Sequence, residues 1–118
     1  MLPPDPFEFL IPYLTSQLGV QAGDVKNSRV SVWLRLVGGH HRSVVIDSPV
    51  LDVLCFGEDH YQLARETRAA LHALNFTCDS PVSSVEDEML PAILPDPDID
   101  TESISMFTIR LTMKWDNT

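Results

Sequence analysis

The residues whose types chemistry uses fall into a few small groups. His40-His41 invites a metal ion, with Asp47 or His60 as further ligands. A metal site needs several ligands converging on one point, and adjacent histidines on a turn rarely converge. No H-E-x-x-H and no fixed-spacing carboxylate set accompanies them. Asp47 and Asp52 flank a predicted strand entrance and have the type needed for paired acid–base work. A turn aspartate and an outward strand aspartate account for them more simply. Cys55 acts as a nucleophile only beside a base in electropositive surroundings. Its neighbours, Leu54 and Phe56, suit a buried thiol instead. Gly38-Gly39 lacks the G-x-G-x-x-G pattern, and no helix follows it. There is no Walker sequence and no G-x-S-x-G. The expectation is therefore no enzyme, no metal and no cofactor.

The acidic tract is the strongest unusual feature. Acids stand at 79, 86, 87, 88, 96, 98, 100 and 102, with no Lys or Arg between Asp79 and Glu102. The spacing Asp96-x-Asp98-x-Asp100 with Glu102 hints at calcium. An EF-type loop wants Gly at its sixth position, where this chain has Thr101, and Pro97 stiffens the turn. A solvated or partner-facing loop fits better. Eight Lys and Arg against 17 Asp and Glu leave a net charge of −9. The basic residues are scattered, which argues against a phosphate-neutralising face and tight DNA binding.

With 118 residues, 44% of them hydrophobic and 21% charged, the chain has the length and composition of a single globular domain, 1–118. No apolar run approaches the ~20 residues of a membrane span. The start, MLPPDPFEF, has no basic region followed by an apolar core and does not read as a secretory signal. Cys55 and Cys78 lack C-x-x-C spacing and read as reduced thiols, and the sequon Asn75-Phe76-Thr77 then carries no glycan.

The elements that must position these residues follow from periodicity. Phe7, Leu10, Ile11, Leu14 and Leu18 predict a helix over 6–18, with Asp5 as N-cap and Gly19 after its end. Pro12 removes one of its hydrogen bonds, so a kink is expected rather than a break. Residues 29–37 alternate, with Val30, Val32, Leu34 and Leu36 on one side and Arg29, Ser31, Trp33 and Arg35 on the other. Gly38-Gly39 is expected to end this strand. Residues 40–49 read as a loop or loosely paired arm carrying Val44-Val45-Ile46. A second strand spans 50–56, with Leu51, Val53 and Cys55 on one face. A second helix spans 60–74, with Leu63, Thr67, Ala70, Leu71 and Leu74 inward. A third strand is expected within 82–90, a Pro-Asp loop over 94–100, and a final strand over 107–115. The sum is an α+β fold: a mainly antiparallel sheet of about four strands with two helices on one face.

The order of these motifs resembles the tail terminator (tail-completion) proteins of bacteriophages with long, non-contractile tails, especially those of actinobacterial hosts. The resemblance rests on the helix ending in Tyr13-Leu-Thr-Ser-Gln-Leu-Gly19 and the strand running into Leu36-Val-Gly-Gly39. It continues in Asp47-Ser-Pro-Val-Leu-Asp-Val-Leu-Cys-Phe56, the Ala-rich helix Ala64-Arg-Glu-Thr-Arg-Ala-Ala-Leu-His-Ala-Leu74, the Pro-Asp loop and the alternating last strand. Pro12 and the long stretch between Phe76 and Leu90 depart from the pattern.

The resemblance implies a hexameric ring that caps the tail tube, ends its polymerisation and presents a surface to head-completion proteins, without catalysis. Its partners would be further copies of the chain, the major tail tube protein and a neck protein. DNA would pass without specific binding, and no membrane would be involved. The place implied is the virion tail or neck, and the host cytoplasm during assembly. The expected subunit or ring interface is Gly38, Gly39, His40, His41, Arg42, Val44, Val45 and Ile46. The expected lumen or partner loop is Asp96, Asp98, Asp100 and Glu102. Two alternatives stay open: another neck or tube component of the same particle, and a small acidic protein-binding module.

Overall fold

The computed structural model describes residues 5–25, 29–42, 45–77, 79–95 and 103–114, with backbone alone for 38–42 and 45–47. Helix α1 (Pro6–Leu18) starts where the Asp5 carboxylate accepts from the Phe7 amide at 2.9 Å. It ends at Gly19, whose φ of 69° is left-handed and whose amide closes on Thr15. The helix is continuous through Pro12, which faces outward and leaves its freed acceptor beside water.

Five strands follow: β1 (Ala22–Gly23), β2 (Val32–Arg42), β3 (Val45–Cys55), β4 (Val82–Pro95) and β5 (Ser103–Met113). Helix α2 (His60–His72) continues into a 3₁₀ turn at Ala73–Phe76 and stands between β3 and β4. The sheet order is β1-β2-β3-β5-β4, antiparallel except for β1 beside β2. The fold is the expected α+β arrangement, with β1 as an additional short strand.

Residues paired across an antiparallel ladder share a face. Val32, Leu34, Leu51, Val53, Phe107, Ile109, Leu111 and Met113 therefore project together, and all are buried. Leu10 and Leu14 of α1, and Ala64 and Leu71 of α2, close over them in one cluster. Both helices thus lie on this face. The opposite face, with Trp33, Arg35, Val50, Leu54, Met106 and Thr108, has no helix on it among the described residues.

Several boundaries differ from the sequence expectation, each for a local reason. Gly38-Gly39 does not end β2, which runs on to Arg42. A bulge at Val37 shifts the register there, so the side-chain alternation breaks while the backbone pairing continues. Of residues 40–49, expected as a loop or loosely paired arm, 40–42 and 45–49 form the paired arm. β4 extends past Leu90 to Pro95, through Pro91, because it is an edge strand whose bulges absorb the proline. β5 begins at Ser103, four residues before the expected start. The final part of α2 tightens into the 3₁₀ turn.

Candidate functional site

Neither Cys55 nor the His60–Ser105 pair is placed as an accessible reactive centre. Cys55 is fully buried in β3, with the Thr67 hydroxyl 4.0 Å from its sulfur. Burial pushes its thiol up to about 12, far from a ready thiolate. His60 Nδ1 lies 2.7 Å from Ser105 Oγ, which superficially resembles a base and its nucleophile. Ser105 has no exposed surface, so no substrate can reach it. The pair fastens the first turn of α2 to β5. Among the described residues, no three His, Cys, Asp or Glu side chains gather as a metal site.

Two charged clusters sit on opposite faces of the sheet. On the helix-free face Asp52 is only 7% exposed. Arg35 donates to its Oδ2 at 2.6 Å and Thr108 donates to its Oδ1 at 2.7 Å, so both carboxylate oxygens have partners. The Arg35 guanidinium also lies over the Trp33 ring, 5.4 Å from its centroid. On the helix face, Arg68 grips Asp87 with two nitrogens, Nε to Oδ1 at 3.0 Å, and His72 Nε2 approaches Oδ1 at 2.8 Å. The Arg68 hydrogen bonds hold the Asp87 carboxyl down at about 2, helped by His72. This triad ties α2 to β4. An open groove beside it, lined by Tyr61, Arg65, Leu90 and Pro91 among others, has a volume of about 600 Å³.

The expected interface segment falls on one structural feature. β3 pairs with β5 only from Val50 to Cys55, whereas β2 and β3 stay paired from Gly38–Val50 out to Arg42–Val45. The outer part of this hairpin is therefore a two-stranded arm that has left the ladder with β5. Gly38, Gly39, His40, His41 and Arg42 lie on its outgoing strand, and Val45 and Ile46 on its return. Val44 lies outside the described residues. So do Asp96, Asp98, Asp100 and Glu102, the expected acidic loop.

No family model matches this chain, and no curated protein matches it.

Sequence reasoning missed the exposed residues at the root of the arm. Leu36 and Val37 are 47% and 57% exposed, although Leu36 continues the buried Val32–Leu34 row. Leu90 and Ile93 of β4 are 61% and 58% exposed. The sequence signal was the doubled Leu36-Val37 before the diglycine, an apolar pair that strict alternation cannot bury on one face.

Proposed function

We propose that the chain is a structural subunit of a ring that caps the tail tube of a long-tailed phage, ends tube growth and offers the head-joining surface. The observation that carries this reading is the arm. A two-stranded ribbon buries little surface and is marginal alone in water. The chain nevertheless carries one that leaves the ladder with β5 beyond Val50. Such an arm gains its stability from a neighbouring subunit. The resemblance of motif order to tail terminators supplies the kind of neighbour.

The helix-free face adds a second surface for assembly, and the net charge of −9 suits a ring that must pass DNA without holding it. The fully buried Ser105 and the high-pKa thiol of Cys55 favour a structural role over a catalytic one.

A tube-growth assay tests the reading. The full chain, added to polymerising major tail protein of the same phage, should arrest elongation and bind at one end of each tube. Arg42→Glu, on the arm, should lose the arrest while remaining folded. Unchanged elongation with the parent chain would refute the proposal. Incorporation along the length would favour the tube-subunit alternative.

A further inference from the structure

The two long strands at the sides of the sheet are unequal in charge and alike in exposed apolar residues. β1 covers only Val32 and Trp33 of β2, so among the described residues β2 has no strand on its outer side from Leu34 onward. β4 is the opposite edge. Of the seven large apolar side chains exposed among the described residues, four lie on these strands: Leu36 and Val37 on β2, Leu90 and Ile93 on β4. β2 contains Arg35, His40, His41 and Arg42 and no acid. β4 contains Glu86, Asp87 and Glu88 and no base.

We propose that copies of this chain join edge to edge, the β2 edge of one against the β4 edge of the next, so that the sheet runs on from subunit to subunit. The strand directions permit it. β2, β3, β5 and β4 alternate in direction, so β2 and β4 run oppositely. A second copy in the same orientation then brings its β2 antiparallel to β4, as in the rest of the ladder. The pairing rows also set the level. Arg35, Asp52, Thr108 and Met89 share one row, and Gly38, Val50, Arg110 and Glu86 another. A neighbour at the same height places its Arg35–Gly38 stretch opposite Glu86–Met89.

Charge selects this head-to-tail pairing over the like-with-like ones. Arg35 is held by Asp52, Asp87 by Arg68 and His72, and Glu88 by Arg110, so the selecting charges are His40, His41 and Arg42 in the β2 sequence and Glu86 on β4. Two β2 edges would gather the bases, and two β4 edges would bring Glu86 to Glu86. The β4 edge is also partly closed to any added strand. Asn75 donates to the Val85 carbonyl at 3.1 Å and accepts from its amide at 2.8 Å, occupying both groups. Register shifts between Asp87 and Met89 and between Met89 and Ala92, with Pro91 in the second, interrupt the rest. The neighbour therefore gains local backbone bonds between these interruptions, a contact to Leu90, and attraction to Glu86. Contact between two different patches is the kind that closes into a ring when its rotation allows. The inference deepens the ring reading and rests on it for closure.

Cysteine cross-linking tests the contact. In a Cys78→Ser background, with the buried Cys55 left in place, Val37→Cys and Glu86→Cys are made as separate full-length chains. Met89→Cys serves as a second β4 probe for a different offset. Each chain is oxidised alone and mixed, with and without tail tubes, and masses are read natively and after denaturation. A disulfide-linked dimer should form in a mixture of Val37→Cys with a β4 variant, and in neither chain alone. An assembly near 79 kDa, six times 13.2 kDa, without cross-linking by either probe would overturn the edge contact and leave the ring standing. Cross-linked pairs without any closed assembly would support the contact and sink the ring. Dimers of Val37→Cys alone would show like-with-like pairing and overturn the inference. Monomers under every condition would overturn both.

Discussion

Thr108→Val is a nearly shape-neutral change that removes one hydroxyl from beneath Asp52. The lost bond is short, 2.7 Å, and its acceptor is a carboxylate only 7% exposed. A hydrogen bond to a charged group contributes about 1.5–3 kcal/mol, and water reaches this oxygen too poorly to replace it. Arg35 still holds the other oxygen, so the variant should fold with stability lower by that amount. For a urea m-value of about 2 kcal/mol/M, the midpoint should fall by about 1 M with the slope unchanged. The double variant Asp52→Val, Thr108→Val removes donor and acceptor together. Its released Arg35 side chain is 47% exposed and stays hydrated, so the double variant should recover to within about 1 kcal/mol of the parent. Urea denaturation followed by tryptophan fluorescence and by circular dichroism measures both. A single variant within about 0.5 kcal/mol of the parent, or a double variant as unstable as the single one, would show that the buried carboxylate is not held as described.

The Arg68–Asp87–His72 cluster predicts a pH signature. Asp87 is lowered from 3.8 to about 2, so its stabilisation is present above pH 3.8 and lost as pH falls through about 2. Because the cluster is partly solvated, Asp87→Asn should cost about 1 kcal/mol at neutral pH, and parent and variant should converge near pH 2 in acid titrations of stability. Cys55 predicts the opposite limb. Its thiol is raised from 9.0 to about 12, so stability should decline as pH rises from about 9 towards 12, and Cys55→Ala should flatten that decline in alkaline denaturation curves. Asn75→Ala removes two bonds to Val85 and should cost about 1–2 kcal/mol, with faster hydrogen exchange at the Val85 amide; unchanged exchange would mean the side chain does not cap this edge.

What was legible in the sequence was local and periodic. The caps of α1 act within two residues of the helix, and the alternation of Val32–Leu34 and Phe107–Met113 survives because neither stretch carries an inserted residue itself: the extra residue of β2 comes at Val37, and those of the β4–β5 ladder lie on β4. Where the chain inserts an extra residue, the phase of the pattern changes and the strand disappears from view. Val37 does this before Gly38, and the shifts around Glu88 and Leu90-Pro91 do it in β4. β1 is two residues long and has no period to detect. The site was half legible for the same reason. Residues 38–46 stood out as glycine, histidine and surplus apolar residues, but only the pairing of β2 with β3 makes 38–42 and 45–46 an arm. The contacts that organise the surface join distant positions: Arg35 to Asp52, Asp52 to Thr108, Arg68 to Asp87 and Asn75 to Val85. No local pattern marks such pairs.

Ring formation at the tube end is the claim on which the functional account depends. Electron microscopy of tubes polymerised with and without the full chain measures it directly. The account predicts one six-fold layer of the chain at a single end of each arrested tube. Tubes that lengthen normally with no terminal layer, or that carry the chain in many stacked layers, would contradict it.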